Sequence, residues 1–163
     1  MRAAWLVAMV MIGNAGAALA QAPTCPEAPK TWQGARPVTA ARTFGAYPHP
    51  VLALGEPADA ALVPAATMIL AAPLAKPVAP GDLGGLLSFH IALSGTYRIA
   101  LGGKAWIDVV QRGQSQPSAA HAHGEPCSGI VKQVDFVLAP GDYVLQLSDG
   151  TAPHLAVLLT RLP

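Results

Sequence analysis

The stretch Ser118-Ala119-Ala120-His121-Ala122-His123-Gly124-Glu125-Pro126-Cys127-Ser128-Gly129 gathers two of the chain's five histidines, one of its three glutamates and one of its two cysteines. Spaced i, i+2, His121 and His123 project from the same side of an extended strand, where both imidazoles can hold one ion. Such a pair suits Zn²⁺, Cu²⁺ or Fe²⁺, and a tight site needs a third or fourth ligand. Glu125 continues the series only if the strand runs on, and Gly124 and Pro126 oppose that. His154 and His90 can complete the set only if the fold carries them in. The competing reading is an exposed polar loop with solvated histidines.

Other chemistries find less support. A blue-copper centre needs Cys, His and usually Met in close array, and beyond the first twenty residues the only methionine is Met68, far from this loop. Ser118 and Ser128 flank the histidines, but no G-x-S-x-G elbow is present. No Gly-rich phosphate loop precedes a helix, so nucleotide binding has no basis.

Compartment decides how the cysteines are read. Residues 1–20 have the layout of a secretory signal peptide: Arg2, an apolar run from Ala3 to Ile12, and the small-residue site Ala18-Leu19-Ala20 before Gln21. The run is short for a spanning helix, which argues against the rival reading of an uncleaved anchor, and no later stretch can span a bilayer. The expected location is periplasmic or secreted. In an oxidising compartment the only two cysteines, Cys25 and Cys127, are expected to form a disulfide rather than a free or metal-bound thiol.

Without Arg2, nine basic residues face nine acidic ones, so there is no basic face for nucleic acid or anionic lipid. The partners that remain are an envelope protein or a small ligand. Few charges and many turn formers argue against a helical bundle.

Eleven of the sixteen prolines fall in residues 21–80. Proline lacks an N–H and fixes φ, so this segment reads as an extended arm wrapping the domain, with short edge strands. Ala66–Leu70 is its best strand candidate, and Trp32, Phe44 and Tyr47 are candidate anchors onto the core. The proline content alone would also fit a disordered linker; the aromatics do not. From residue 81 to 163 the pattern becomes short alternating runs between turn signals. Strands are expected over 86–93, 96–101, 105–110, 130–138, 143–148 and 155–162, with a long polar loop over 111–129. The fold class is all-β: an antiparallel, jelly-roll-like β-sandwich with a proline-rich N-terminal arm.

An internal echo supports this. Phe89-His90-Ile91-Ala92-Leu93-Ser94-Gly95-Thr96-Tyr97 and Phe136-Val137-Leu138-Ala139-Pro140-Gly141-Asp142-Tyr143 each read strand, Gly-x-Tyr, strand. Tyr97, Ile99 and Leu101 share one face, as do Tyr143, Leu145 and Leu147. A tyrosine just after a tight turn can bury its ring while its hydroxyl bonds nearby backbone, as in the tyrosine corner of sandwiches. By alternation, Trp106 joins the core, Asp108 faces solvent or a loop, and His90 faces away from Phe89 and Ile91. Lys132 and Asp135 fall on opposite faces of one strand.

The Gly-x-Tyr hairpins resemble those of secreted bacterial β-sandwich modules of the pre-peptidase C-terminal type, over roughly residues 84–163. That resemblance implies a non-catalytic accessory domain. The whole chain is also similar to small exported bacterial proteins, some of which carry a homogentisate 1,2-dioxygenase label, although that enzyme family is far longer. Cupin dioxygenases hold iron through an HxH pair, a downstream carboxylate and a later histidine. The resemblance would cast His121, His123, Glu125 and His154 in those roles, with Pro140-Gly141-Asp142 as a similar turn. Here the acid lies only two residues past the second histidine, closer than in that family. The same ligands would form a two-His-one-carboxylate triad with positions open for O₂ and substrate.

The expectation is therefore an exported cell-envelope binding or accessory protein without catalytic activity, with weak transition-metal binding at His121 and His123. The alternatives are a small cupin-like non-haem iron dioxygenase and a purely structural envelope protein.

Overall fold

The computed structural model describes Cys25, Glu27 and residues 29–45 and 50–163. The expected signal peptide and the anchor Tyr47 lie outside these residues. The described residues form eleven strands: β1 (Arg36–Thr39), β2 (Ala58–Ala61), β3 (Val63–Pro64), β4 (Leu83–Ile91), β5 (Gly95–Leu101), β6 (Trp106–Gln111), β7 (Gln114–Ser115), β8 (Ser118–Ala122), β9 (Lys132–Leu138), β10 (Gly141–Gly150) and β11 (His154–Arg161). Two sheets, ordered β1-β2-β11-β5-β9-β8 and β3-β4-β10-β6-β7, pack face to face as an all-β sandwich. All strand pairs are antiparallel except β1 with β2.

Alternation explains the core. Leu87, Phe89 and Ile91 on β4, Tyr143, Leu145 and Leu147 on β10, and Ile107 and Val109 on β6 face Tyr97, Ile99 and Leu101 on β5 and Val134, Phe136 and Leu138 on β9. Each fully buried Leu or Phe of this set is worth about 1.5–3 kcal/mol of transfer free energy.

The two echoed segments are not hairpins. β4 lies in one sheet and β5 in the other; β9 and β10 likewise. Each Gly-x-Tyr is therefore an arch between sheets. The arch must turn inward without leaving a carbonyl unpaired, and the tyrosine meets that need. Tyr97 donates its hydroxyl to the Leu93 carbonyl at 2.7 Å, and Tyr143 donates to that of Ala139 at 2.9 Å. The arches also pair with one another: Phe89 stands opposite Tyr143, and Tyr97 opposite Phe136. The Phe89 and Tyr143 rings stack at 5.4 Å.

The proline-rich segment is built into the sandwich. β1 and β3 are edge strands, whereas β2 is interior, between β1 and β11, and puts Ala58 and Ala60 into the core. Ala66–Leu70 is not a strand. Ala65–Thr67 forms a 3₁₀ turn closed by Thr67 Oγ1 donating to the Pro64 carbonyl at 2.7 Å, and Ile69 makes only a single bridge, to Thr43. A threonine bonding backbone three residues back competes with the ladder, and propensity counts for less than this local closure. Beyond the turn, the chain crosses the outer face of the second sheet. There the buried Gln146 amide accepts from Ala71 N at 2.9 Å and donates to the Ala72 carbonyl at 3.1 Å.

The disulfide is present. Cys25 and Cys127 are joined, fastening the N-terminal end of the described chain to the long loop. Trp32 reinforces the attachment, donating its indole N–H to the Gly129 carbonyl at 2.8 Å, and Thr31 Oγ1 donates to the Ser128 carbonyl at 2.8 Å. Phe44 is 42% exposed.

Candidate functional site

The histidines separate. His121 sits on β8, at the sheet edge, opposite the core residue Val134 of β9, so its side chain takes the inward-facing side. His154 begins β11 with Leu155, Val157 and Leu159 buried after it, so it takes the outward side. Its Nδ1 lies 3.2 Å from an Asp59 carboxylate oxygen. β8 and β11 are three strand steps apart, about 14 Å at roughly 4.7–4.9 Å per step. Opposite faces and that separation keep His154 from sharing an ion with His121 across bonds near 2 Å.

The other expected ligands are equally dispersed. His123 lies past the end of β8, with Nδ1 3.0 Å from the Val131 carbonyl. Glu125 is exposed, and its carbonyl closes a turn by accepting from Ser128 N at 3.1 Å and from Ser128 Oγ at 2.6 Å. β8 ends at Ala122, so Glu125 does not continue the strand that carries His121, and Cys127, at φ +65°, occupies the left-handed corner of the turn that follows. His90 is exposed, as its alternation implies, and its Nδ1 lies 2.7 Å from Asp142. Among the described residues no three His, Cys, Asp or Glu side chains converge on a metal-sized position.

A different group of residues does converge. At the open edge of the sandwich, a cleft of about 240 Å³ lies between β6 of one sheet and β8–β9 of the other. Its walls include Trp106, Asp108, Gln116, Ser118, His121 and Lys132 over Ile107, Val134 and Phe136. Of the expected site residues, only His121 takes part.

Asp108 is the unusual member. Alternation puts it on the outer face of β6, yet it is only 8% exposed. The physical reason is its surroundings. Gln146, its register partner on β10, is covered by residues 71–72, and Trp106 flanks it on its own strand. Trp106 Nε1 donates to Asp108 Oδ1 at 3.1 Å, and Oδ2 is sealed from solvent on the side of Gln146. Burial raises the Asp108 pKa above the usual carboxylate range; the Trp106 and Gln146 contacts and the charge of Lys132 partly offset this.

Lys132 supplies the opposite charge. Its Nζ lies 4.8 Å from the centroid of the Trp106 ring and donates to the Ala105 carbonyl at 3.1 Å. Desolvation lowers its pKa, against the attraction of Asp149 and Asp108. Trp106, expected in the core, is half-buried and is the hub of this cleft, bonding Asp108 with its N–H and Lys132 with its face. Asp135, by contrast, faces away and takes a two-pronged bond from Arg98 at 2.7 and 2.9 Å, which raises the Arg98 pKa.

A second cleft, of about 400 Å³, lies on the outer face of the other end of β4 and β10, lined by Val110, Arg112, His90 and Asp142. Phe44 and Val51 also line it. The edge cleft is the one that brings a buried carboxyl, a lysine and an indole together.

Sequence reasoning missed Asp108, Lys132 and Trp106 because alternation assigns a face and says nothing of what covers it. The usable signal was Trp106-Ile107-Asp108 itself: an i, i+2 indole and carboxyl on one face can pair. Comparison with protein-family models, with curated proteins and with solved structures finds no match for this chain.

Proposed function

We propose that this chain is an exported cell-envelope binding or accessory protein, without catalytic activity, whose ligand site is the edge cleft. The observation that carries the reading is the cleft itself: about 240 Å³ at the open sandwich edge, where Trp106, Gln116, Ser118, His121 and Lys132 stand beside an apolar floor of Ile107, Val134 and Phe136. The Cys25–Cys127 bridge is compatible with an oxidising compartment, and among the described residues no helix is long and apolar enough to cross a membrane. A sandwich whose strands fix the cleft walls in place fits recognition by a preformed site.

The test is a ligand-observed NMR screen of a chemically diverse fragment library against the oxidised protein, repeated with Trp106→Ala. The reading expects saturable hits that the variant loses. A library in which every hit survives Trp106→Ala would displace the site from this cleft.

A second reading, weak metal binding at His121 and His123, has one observation in its favour. If His123 donates Nδ1–H to Val131, its Nε2 lone pair is left free, the arrangement found behind metal-ligating histidines. Calorimetric titration of untagged protein with Zn²⁺ and Cu²⁺ tests it: uptake abolished by His121→Ala supports the pair, and no uptake at micromolar metal refutes it.

A further inference from the structure

A sheet edge presents a row of unpaired backbone N–H and C=O groups that can template pairing with another chain, and proteins blunt such edges with proline, charge or shortness. Three of the four edges of this sandwich are blunted. β1 carries Pro37 and the exposed Arg36, which pairs with Glu56. β3 is two residues long and ends at Pro64, and β7 is two residues long. β8 is the exception. Its five residues, Ser118–Ala122, are all exposed, and none is a proline or carries a fixed charge. It ends the order of its sheet, and among the described residues no isolated bridge reaches its free side. Its one irregularity, a bulge between Ser118 and Ala120, leaves Ala120, His121 and Ala122 in regular register with β9. The other sheet is open on the same side of the sandwich: β7 pairs only Val110 and Gln111 of β6, so no strand flanks Trp106–Asp108 there. The open edge is therefore two layers deep.

What covers such an edge must itself be extended backbone, because only a strand offers donors and acceptors at the matching spacing. Charge and closure select a second copy of this chain. With no fixed charge on β8, two copies can face one another in any register without the like-charge clash that opposes strand pairing. A formal net charge of +1 adds little repulsion at longer range. Antiparallel pairing of β8 with itself is isologous, about a two-fold axis perpendicular to the sheet. The far edge of the same sheet is the blunted β1, so growth stops at two copies instead of running on as a fibre. That axis also sets the β6 edges opposite each other, and the second copy then closes the mouth of each edge cleft.

We propose that the chain forms a two-fold dimer by antiparallel pairing of β8 with β8 of a second copy. The two six-stranded sheets become one continuous sheet, and the two edge clefts close against each other. The dimer does not depend on the clefts' taking a ligand.

The experiment is sedimentation velocity of the oxidised chain from low micromolar to near-millimolar concentration, with amide hydrogen exchange followed over the same range. A monomer–dimer equilibrium is expected, with exchange in residues 118–122 slowing as the dimer fills. Ala122→Lys puts a charge on the shared edge at an exposed position that the fold does not need. It should weaken the dimer tenfold or more and leave the urea midpoint of the monomer unchanged. Thr39→Lys, exposed on the blunted edge of the same sheet, should leave the dimer as it is. A chain monomeric at every concentration overturns the proposal and leaves β8 to a strand of a different protein. A dimer that ignores Ala122→Lys, one that yields to Thr39→Lys, or one that forms without slowing exchange in β8 overturns it as well.

Discussion

The segment of residues 118–129, expected as loop but opening with strand β8, and the three residues Trp106-Ile107-Asp108 make an instructive pair. The segment is dense in metal-capable side chains, and the fold scatters them: His121 faces the cleft, His123 reaches the Val131 carbonyl, Glu125 points to solvent and Cys127 is bridged. The short run on β6 looks like ordinary strand alternation, and the fold concentrates charge and desolvation on it. The difference is cover. β8 is an edge strand whose residues are all exposed, whereas the outer face of β6 and β10 lies under the proline-rich segment that crosses at residues 71–72. Residue type supplies chemical capacity, but burial changes what a carboxyl does.

Four perturbations test how far the two regions differ. Removing the staple from the loop should have the largest effect. Cys25→Ala with Cys127→Ala opens a covalent closure of 102 residues and should cost about 3–4 kcal/mol in urea unfolding. A loss below 1 kcal/mol would mean that Trp32 and Thr31 hold the attachment unaided. Gln146→Ala should come next, at about 2–3 kcal/mol, because Ala71 N–H and the Ala72 carbonyl lose their buried partner. The same variant should speed proteolysis within residues 65–80; unchanged cleavage there would show that the cover does not depend on Gln146.

The third perturbation is pH. The folded-state pKa of Asp108 is raised, so the folded chain holds that proton more tightly than the unfolded chain. Stability linked to Asp108 therefore rises as pH falls through its folded pKa, down to the ordinary carboxylate range, and is lost as pH rises. Asp149 acts in the opposite sense: Lys76 and Lys104 lower its pKa, so its contribution is present above the ordinary carboxylate range and fades as pH falls through its folded value. Asp108→Asn isolates the first term. It should be more stable than the parent at pH 7, with the gap closing as pH falls toward 4; a gap independent of pH would refute the burial assigned to this carboxyl. Smallest of all, His121→Ala and His123→Ala should each change stability by no more than about 0.5 kcal/mol, as exposed substitutions do.

Much of the fold was legible because it follows from local rules. The six strands expected after residue 81 correspond to β4, β5, β6, β9, β10 and β11, and both Gly-x-Tyr segments place the hydroxyl on backbone four residues earlier. The pairing of Cys25 with Cys127 followed from there being no other cysteine. What alternation could not supply was partnership between strands. It gave the same reading for a hairpin and for an arch, so the sheet change at Gly95 and at Gly141 stayed hidden. It also could not show that β2 would sit inside a sheet, or that Pro64 and Thr67 would close a turn where Ala66–Leu70 has strand propensity. The site was the least legible part, since the burial of Asp108 depends on residues 71–72 and Gln146, distant in sequence from it.

The central question is whether the edge cleft, rather than the histidine pair, governs ligand recognition. The decisive measurement is the affinity of a cleft-binding fragment for the parent, for Trp106→Ala and for His123→Ala, measured side by side by calorimetry. A loss of tenfold or more for Trp106→Ala with no change for His123→Ala is expected; the reverse pattern would overturn the assignment.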